Sequence, residues 1–193
     1  MGYTHYMTMN KEARKEWKKN YVEIKKCINH VYKEFDSILC GWSGEEGTRP
    51  TLSKKDGPRF NGSEDQSNET FSLMVSPSKQ DRDRANLYSS NVDWNFCKTA
   101  RKDYDLPTCI VLLITKAYCP SFLFGSDGFY FDNEKNLDGS WPEAIKWMER
   151  QGFQVEVLCD NDNENDDVYI NVKQPTPQTE KNITNAQDET PLF

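Results

Sequence analysis

The stretch Leu106-Pro107-Thr108-Cys109-Ile110-Val111-Leu112-Leu113-Ile114-Thr115-Lys116-Ala117-Tyr118 decides the fold, because it predicts a helix with apolar residues on nearly every side. Pro107 suits the first turn of that helix, where its missing N–H costs nothing, and Pro120 follows as a stop. A helix that is apolar all round must be buried. We therefore expect residues 106–118 in the core, with the preceding segment emerging at its positive N-terminal end.

Two further helices are expected. One long amphipathic helix is predicted over residues 10–37, because one apolar stripe runs through Trp17, Tyr21, Ile24, Ile28, Val31 and Phe35 while Lys and Glu fill the opposite side. The other begins at Ser140-Trp141-Pro142-Glu143, which combines a capping box with a proline in the first turn, and it ends at Gly152.

Short segments rich in aromatic and β-branched residues predict the strands, at 3–7, 39–42, 59–62, 69–75, 122–126 and 155–158, with 168–172 as a further edge strand. Because these strands run in groups between only three helices, we predict an α+β fold rather than a doubly wound parallel sheet. Its mainly antiparallel sheet is packed by the long N-terminal helix and the two shorter ones. The predicted organisation is a single domain over 1–159 and an acidic, extended C-terminal extension over 160–193.

The formal net charge of -7 is concentrated in that extension. Residues 160–193 contain eight acids and two bases, so the rest of the chain is nearly neutral. Such a chain is a poor binder of duplex nucleic acid, but a small anion needs only two or three cations. An extended acidic tail gains order chiefly by lying on another surface, which favours a homo-oligomer.

No apolar run approaches the roughly 18 residues of a membrane span, so no membrane partner is predicted. The first residues also lack the basic and apolar regions of a signal peptide, and we expect a cytoplasmic protein. The six cysteines and two histidines show no spacing typical of a metal site, which predicts reduced thiols, no metal and no cofactor.

The motifs of common enzyme classes are missing from the sequence: a Gly-rich phosphate loop, G-x-G-x-x-G, G-x-S-x-G and H-E-x-x-H. No catalytic residue is therefore predicted, and a binding protein is favoured over an enzyme. His5 keeps one alternative open, a phosphoesterase or nucleotide-modifying enzyme in which it acts as a general acid or base. A third alternative is a protein-binding inhibitor that docks on a host enzyme through the acidic tail.

The segment Phe96-Cys97-Lys98-Thr99-Ala100-Arg101-Lys102-Asp103-Tyr104-Asp105 gathers three cations, a hydroxyl and two aromatic rings. Arginine and lysine bind phosphate, and an aromatic face stacks on a base, so a nucleotide is one candidate ligand. The other interpretation is a surface strand end whose cations pair with nearby carboxylates.

Four blocks resemble the recurring signatures of small phage and prophage proteins that begin MGYTHYW. They are Met1-Gly2-Tyr3-Thr4-His5-Tyr6, Phe60-Asn61-Gly62, Glu69-Thr70-Phe71 and the 96–105 segment. The resemblance covers residue 1 to about residue 150. This chain departs from the pattern at Met7, where the family usually has Trp, and at Asp103, where Pro is common.

The resemblance implies a phage immune-evasion protein of the anti-CBASS kind. Such a sponge binds and sequesters a cyclic dinucleotide defence signal, without hydrolysing it, in the cytoplasm of an infected bacterial host. Cations would hold its phosphates and aromatic rings would stack on its bases, although the N-terminal aromatics also fit an ordinary strand that alternates inward and outward. The predicted ligand-binding residues are Tyr3, His5, Tyr6, Trp42, Asn61, Lys98, Thr99, Arg101, Lys102 and Tyr104.

Overall fold

A computed structural model describes residues 3–80, 83, 93–129, 137–160 and 167–175. Its helices pack with antiparallel sheets, so the predicted α+β class is confirmed. The predicted acidic extension beyond residue 175 lies outside the described residues, and so does its expected contact with a neighbouring subunit. None of the described helices combines the length and the apolar character that crossing a membrane requires.

The helices are α1 (Lys11–Glu34), α2 (Asp105–Tyr118) and α3 (Trp141–Arg150). The Asn10 side chain caps α1 by accepting a hydrogen bond of 2.9 Å from the N–H of Ala13. The predicted apolar stripe of α1 faces the core, with Trp17, Ile24, Ile28 and Val31 fully buried. The α2 helix is buried on nearly all sides, as predicted, and it packs against α1 and α3.

The start of α3 was predicted correctly, but its capping box was not. Ser140 is the residue that precedes the helix, and its side chain makes no capping hydrogen bond. The reason is its backbone, whose φ of -83° and ψ of -2° are helical, whereas a capping side chain needs extended backbone. The Ser140 hydroxyl lies instead beside the Asp105 carboxyl.

The sheet that positions the N-terminal block has the strand order β6-β1-β7 and is antiparallel throughout. A second sheet has the order β2-β4-β3, with β5 also paired to β4, and a ribbon is formed by β8 and β9. The strands are β1 (Thr4–Thr8), β2 (Leu39–Cys40), β3 (Thr51–Ser53), β4 (Gly57–Gly62), β5 (Phe71–Ser72), β6 (Trp94–Lys98), β7 (Leu123–Ser126), β8 (Gln154–Asp160) and β9 (Asp167–Lys173).

Two of these strands, β3 and β6, were not among the predicted segments. The first three residues of the 96–105 segment are the end of β6, so the strand-end interpretation describes residues 96–98 correctly. The core also continues past residue 159. Val168, Ile170 and Val172 of β9 are buried, and β9 packs against α2.

Candidate functional site

The β1 strand divides the N-terminal block between two environments, because successive side chains of a strand point to opposite faces. His5 and Met7 are 0% and 1% exposed, and the preceding Tyr3 is also buried. Tyr6 is 37% exposed on the opposite face. We call the side of His5, Met7 and Cys97 the inner face of the β6-β1-β7 sheet, and the side of Tyr6, Trp94, Phe96 and Lys98 its outer face.

A polar cluster lies beneath the inner face, where β1 meets the first turn of α2. His5 Nε2 is 2.8 Å from Asp105 Oδ1, and the Thr99 hydroxyl donates a short hydrogen bond to the same oxygen. The Cys109 Sγ is 4.0 Å from His5 Nε2. Asp105 and Cys109 share one side of α2 because they are four residues apart. All four side chains are sealed from solvent, with exposures of 2% or less.

The charges in this cluster favour an ionised Asp105 and a neutral Cys109. Burial by itself raises the pKa of Asp105, but the hydrogen bond and charge of His5, together with the Thr99 and Ser140 hydroxyls, outweigh it and leave the pKa below its ordinary value. Burial, and then the Asp105 charge, raise the pKa of the Cys109 thiol well above its ordinary value. Cys109 is therefore a neutral thiol in the absence of a cation.

This arrangement differs from a catalytic triad. A triad histidine uses one ring nitrogen for the carboxylate and the other for the nucleophile. Here the same His5 Nε2 lies nearest to both Asp105 and Cys109, while Nδ1 has no hydrogen-bond partner among the described residues. The rings of Tyr3 and Trp141 contact His5 edge-on, at centroid distances of 5.4 and 5.5 Å. In this conformation no substrate reaches His5.

Arg101, a predicted phosphate ligand, joins the β6–α2 turn to the segment before α3. Its guanidinium pairs with the Asp138 carboxylate and lies over the Tyr3 ring, 4.4 Å from the centroid. The Tyr3 hydroxyl donates to the Asp138 carbonyl at 3.1 Å. A Cβ on Gly139 would collide with that hydroxyl, so glycine is required there. Tyr3 and Arg101 thus hold this corner of the molecule together.

Three more predicted residues form hydrogen bonds with the segment 61–69. The Lys102 ammonium donates to the Asp65 carbonyl at 2.7 Å, and the buried Tyr104 hydroxyl donates to the Glu69 carbonyl at 2.8 Å. The Asn61 side chain, 3% exposed, bonds both the N–H and the carbonyl of Asn68. These contacts anchor the loop beside β6, which is a structural role within the chain.

The outer face brings together the predicted residues Tyr6 and Lys98. Tyr6 pairs in register with Phe96, and Lys98 with Thr4, so the two side chains are diagonal neighbours on one surface. Trp94 stacks beside Tyr6 with a centroid distance of 6.2 Å and an interplanar angle of 21°. Lys98 is exposed, and its ammonium has no ion-pair partner among the residues that the structure describes. Trp94 was not among the predicted ligand-binding residues, although its aromatic side chain two residues before Phe96 was a signal of the same strand.

The last predicted residue, Trp42, carries a second aromatic and cationic contact. Trp42 is 60% exposed, and the Arg59 guanidinium lies 5.9 Å from its ring centroid. The Thr70 hydroxyl fixes this segment by donating to the Trp42 carbonyl at 2.7 Å. Sequence reasoning missed Arg59, because only the β4 pairing and the loop after β2 bring it to Trp42.

Two clefts of the described surface lie away from the predicted residues. One of about 360 Å³ is lined by Tyr32, Lys33, Asp36 and Arg49, and another of about 210 Å³ lies on the β8–β9 ribbon. None of the ten predicted residues lines either of these clefts. A ligand of the outer face would therefore bind an open sheet surface rather than either cleft.

Comparison with known proteins adds no relative. No protein-family model matches this chain, and neither the curated proteins nor the solved structures gave a match. The resemblance to the MGYTHYW proteins therefore stays a prediction.

Proposed function

We propose that this chain binds a cyclic dinucleotide on the outer face of the β6-β1-β7 sheet and sequesters it without hydrolysis. The observation that carries the proposal is the placement of the exposed Tyr6 ring, stacked beside Trp94, next to the exposed ammonium of Lys98. Aromatic side chains on a sheet are a recurrent platform for nucleic-acid bases.

The spacing on this face suits one nucleotide unit. Diagonal neighbours on an antiparallel pair are about 7–8 Å apart, a separation that a base and its own phosphate can span. The Tyr6 hydroxyl donates to Asp127 Oδ1 at 3.0 Å, which fixes the ring on the sheet. Gly125 is the register partner of Tyr6 on β7, so no side chain lies directly opposite the ring on that strand.

The burial of His5 favours binding over the alternative in which His5 attacks or protonates the ligand. A general acid or base must come within hydrogen-bond reach of the reacting atom. His5 is 0% exposed beneath the inner face, on the opposite side of the sheet from Tyr6 and Lys98. A ligand on the outer face is therefore separated from His5 by the sheet itself.

A homo-oligomer completes the proposal. An open sheet covers only one side of a stacked base, and a second copy of the same face would cover the other. A cyclic dinucleotide with two identical halves has a two-fold axis, which matches the symmetry of an isologous dimer interface. Each subunit would then contribute one Tyr6 and one Lys98.

The test is calorimetry of the full chain against a panel of cyclic dinucleotides, followed by chromatography of the ligand released by heat. We expect tight binding to at least one member and intact recovery. Lys98→Ala should weaken that binding by about tenfold or more, since a charge-assisted hydrogen bond contributes about 1.5–3 kcal/mol. The matched control is Lys146→Ala, which removes an exposed lysine from α3 and should leave affinity unchanged.

Two results would overturn the proposal. Release of linear dinucleotide or mononucleotide, abolished in His5→Ala, would establish the enzyme alternative. Binding to no member of the panel, together with capture of a host enzyme that depends on the acidic tail, would establish the protein-binding alternative.

A further inference from the structure

We infer that His5, Asp105 and Cys109 form a site for one Zn²⁺ ion, buried between β1 and the first turn of α2. Nothing in the sequence spacing suggested this site, because His5 precedes Asp105 by 100 residues and Cys109 by 104. The inference does not depend on the proposed nucleotide binding.

The donor set is the first argument. Zinc in proteins is bound by cysteine sulfur, histidine nitrogen and carboxylate oxygen, and this cluster supplies one of each. The mixture of sulfur with nitrogen excludes magnesium and calcium, which prefer oxygen ligands. An ionised carboxylate and a thiolate would also neutralise the two charges of the ion, so the buried site would carry no net charge.

The distances are the second argument. The three ligand atoms lie within 4.8 Å of one another. With Zn–S of about 2.3 Å and Zn–N of about 2.0 Å, tetrahedral geometry places sulfur and nitrogen about 3.5 Å apart. The observed separation of Cys109 Sγ and His5 Nε2 is 4.0 Å. A shift of about 0.5 Å between the sulfur and the nitrogen would therefore bring these two atoms to the separation in a tetrahedral zinc site.

The unsatisfied carboxylate oxygen is the third argument. Asp105 Oδ2 is buried and makes no hydrogen bond within the described residues. The Ser140 hydroxyl lies close enough to favour the ionised carboxylate, but its contact does not meet hydrogen-bond geometry. Burying a carboxylate oxygen without a hydrogen-bond partner lowers the stability of the fold, and a bound cation would supply the missing partner.

Ser140 lies beside the Asp105 carboxyl. Its side chain is half-buried, whereas the three ligands are sealed. A water molecule entering beside Ser140 could occupy the fourth coordination position, which protein ligands leave open here. On binding, the Zn–S bond replaces the S–H bond of Cys109, and the thiol proton leaves to solvent. His5 binds through Nε2, so the proton that Nε2 donates to Asp105 also leaves, and the remaining ring proton is held on Nδ1. The ion would tie β1 to α2 and so stabilise the centre of the domain.

The experiment measures the zinc content of the full chain by inductively coupled plasma mass spectrometry. One sample is purified without chelators, and a second is first stripped with a chelator and then reconstituted with zinc chloride. We expect about one equivalent per chain, and a melting temperature that falls on chelation and recovers with zinc. Cys109→Ser should lower zinc affinity by at least about tenfold. The control is Cys119→Ser, which alters another buried cysteine, just after α2, and should keep the full equivalent.

Cobalt substitution keeps the test decisive if Cys109→Ser does not fold. Wild-type protein reconstituted with Co²⁺ should show the near-ultraviolet charge-transfer band of a cobalt–thiolate bond, and Cys119→Ser should show the same band. A wild-type chain that takes up neither zinc nor cobalt would overturn the inference. So would a folded Cys109→Ser variant that binds zinc as tightly as the wild type.

Discussion

The inner and outer faces of the β6-β1-β7 sheet use similar residue types for different purposes. On the inner face, His5 is sealed against Asp105 beside the buried ring of Tyr3. On the outer face, Tyr6 and Trp94 form an exposed stack beside Lys98. His5 and Tyr6 are consecutive residues of β1. We therefore expect a substitution of His5 to change the stability of the fold, and a substitution of Tyr6 to change the affinity for a ligand.

The comparison also shows how a block of adjacent residues can appear to be one site. Tyr3, His5 and Tyr6 were predicted together because they belong to the opening block that resembles the MGYTHYW proteins. The strand places Tyr6 on the surface and the other two in the interior. Variants of the inner face should therefore lose stability, and variants of the outer face should lose affinity for a ligand.

His5→Ala should lower the free energy of unfolding by about 3–5 kcal/mol, because it leaves the Asp105 carboxylate buried with a lost partner. Tyr6→Ala, its counterpart on the outer face, should cost about 1 kcal/mol or less. Urea denaturation of both variants measures the difference. If the free energy of unfolding fell equally in the two variants, the inner and outer faces would contribute equally to stability, contrary to this prediction.

Tyr6→Ala should weaken the binding of a cyclic dinucleotide by about 1–3 kcal/mol, the contribution of one base stacked on an aromatic ring. Tyr6→Phe should retain most of the affinity, since it keeps the ring and loses only the hydrogen bond to Asp127. Tyr169→Ala, which changes an exposed tyrosine on β9, is the control. Unchanged affinity in Tyr6→Ala would place the ligand elsewhere, with Trp42 and Arg59 as the next surface to test.

Arg101→Ala should lower the free energy of unfolding by about 1–2 kcal/mol, because it removes the pair with Asp138 and the contact with the Tyr3 ring. Arg101→Lys should recover part of that loss, since lysine keeps the charge but not the planar fork. Thermal and urea denaturation measure both effects. If Arg101→Ala instead lost much of its nucleotide affinity without losing stability, Arg101 would be a ligand-binding residue.

The reactivity of the Cys97 thiol measures how well the inner face is shielded from solvent. Burial, followed by the charge of Glu69, raises the pKa of this thiol, so at pH 8 almost no reactive thiolate is present in the folded protein. We expect iodoacetamide to modify Cys97 far more slowly than the half-buried Cys27, as followed by peptide mass spectrometry. Rapid labelling of Cys97 in the native protein would show that the inner face opens readily.

Much of the architecture was predictable from local pattern. The apolar stripe of α1 and the all-round apolar character of α2 are periodic signals that depend on neighbouring residues alone. Both helices form within a few residues of the predicted bounds. The end of β6 was recognised only as the alternative interpretation of the 96–105 segment, because these residues were interpreted first through their charges and rings rather than their alternation. The predicted capping hydrogen bond of Ser140 does not form, because the backbone of Ser140 is helical rather than extended. The motif does not reveal this conformation, and the hydroxyl lies beside Asp105 instead.

The sequence by itself determined the α+β class and the burial of α2, since hydrophobic periodicity and helix-stop residues act over a few positions. Only the tertiary structure decided which predicted residues share a surface. The pairing of His5 with Asp105, of Arg101 with Asp138 and of Trp42 with Arg59 spans between 17 and 100 positions of the chain. Such contacts depend on strand register and helix packing, and no local pattern of residues specifies them.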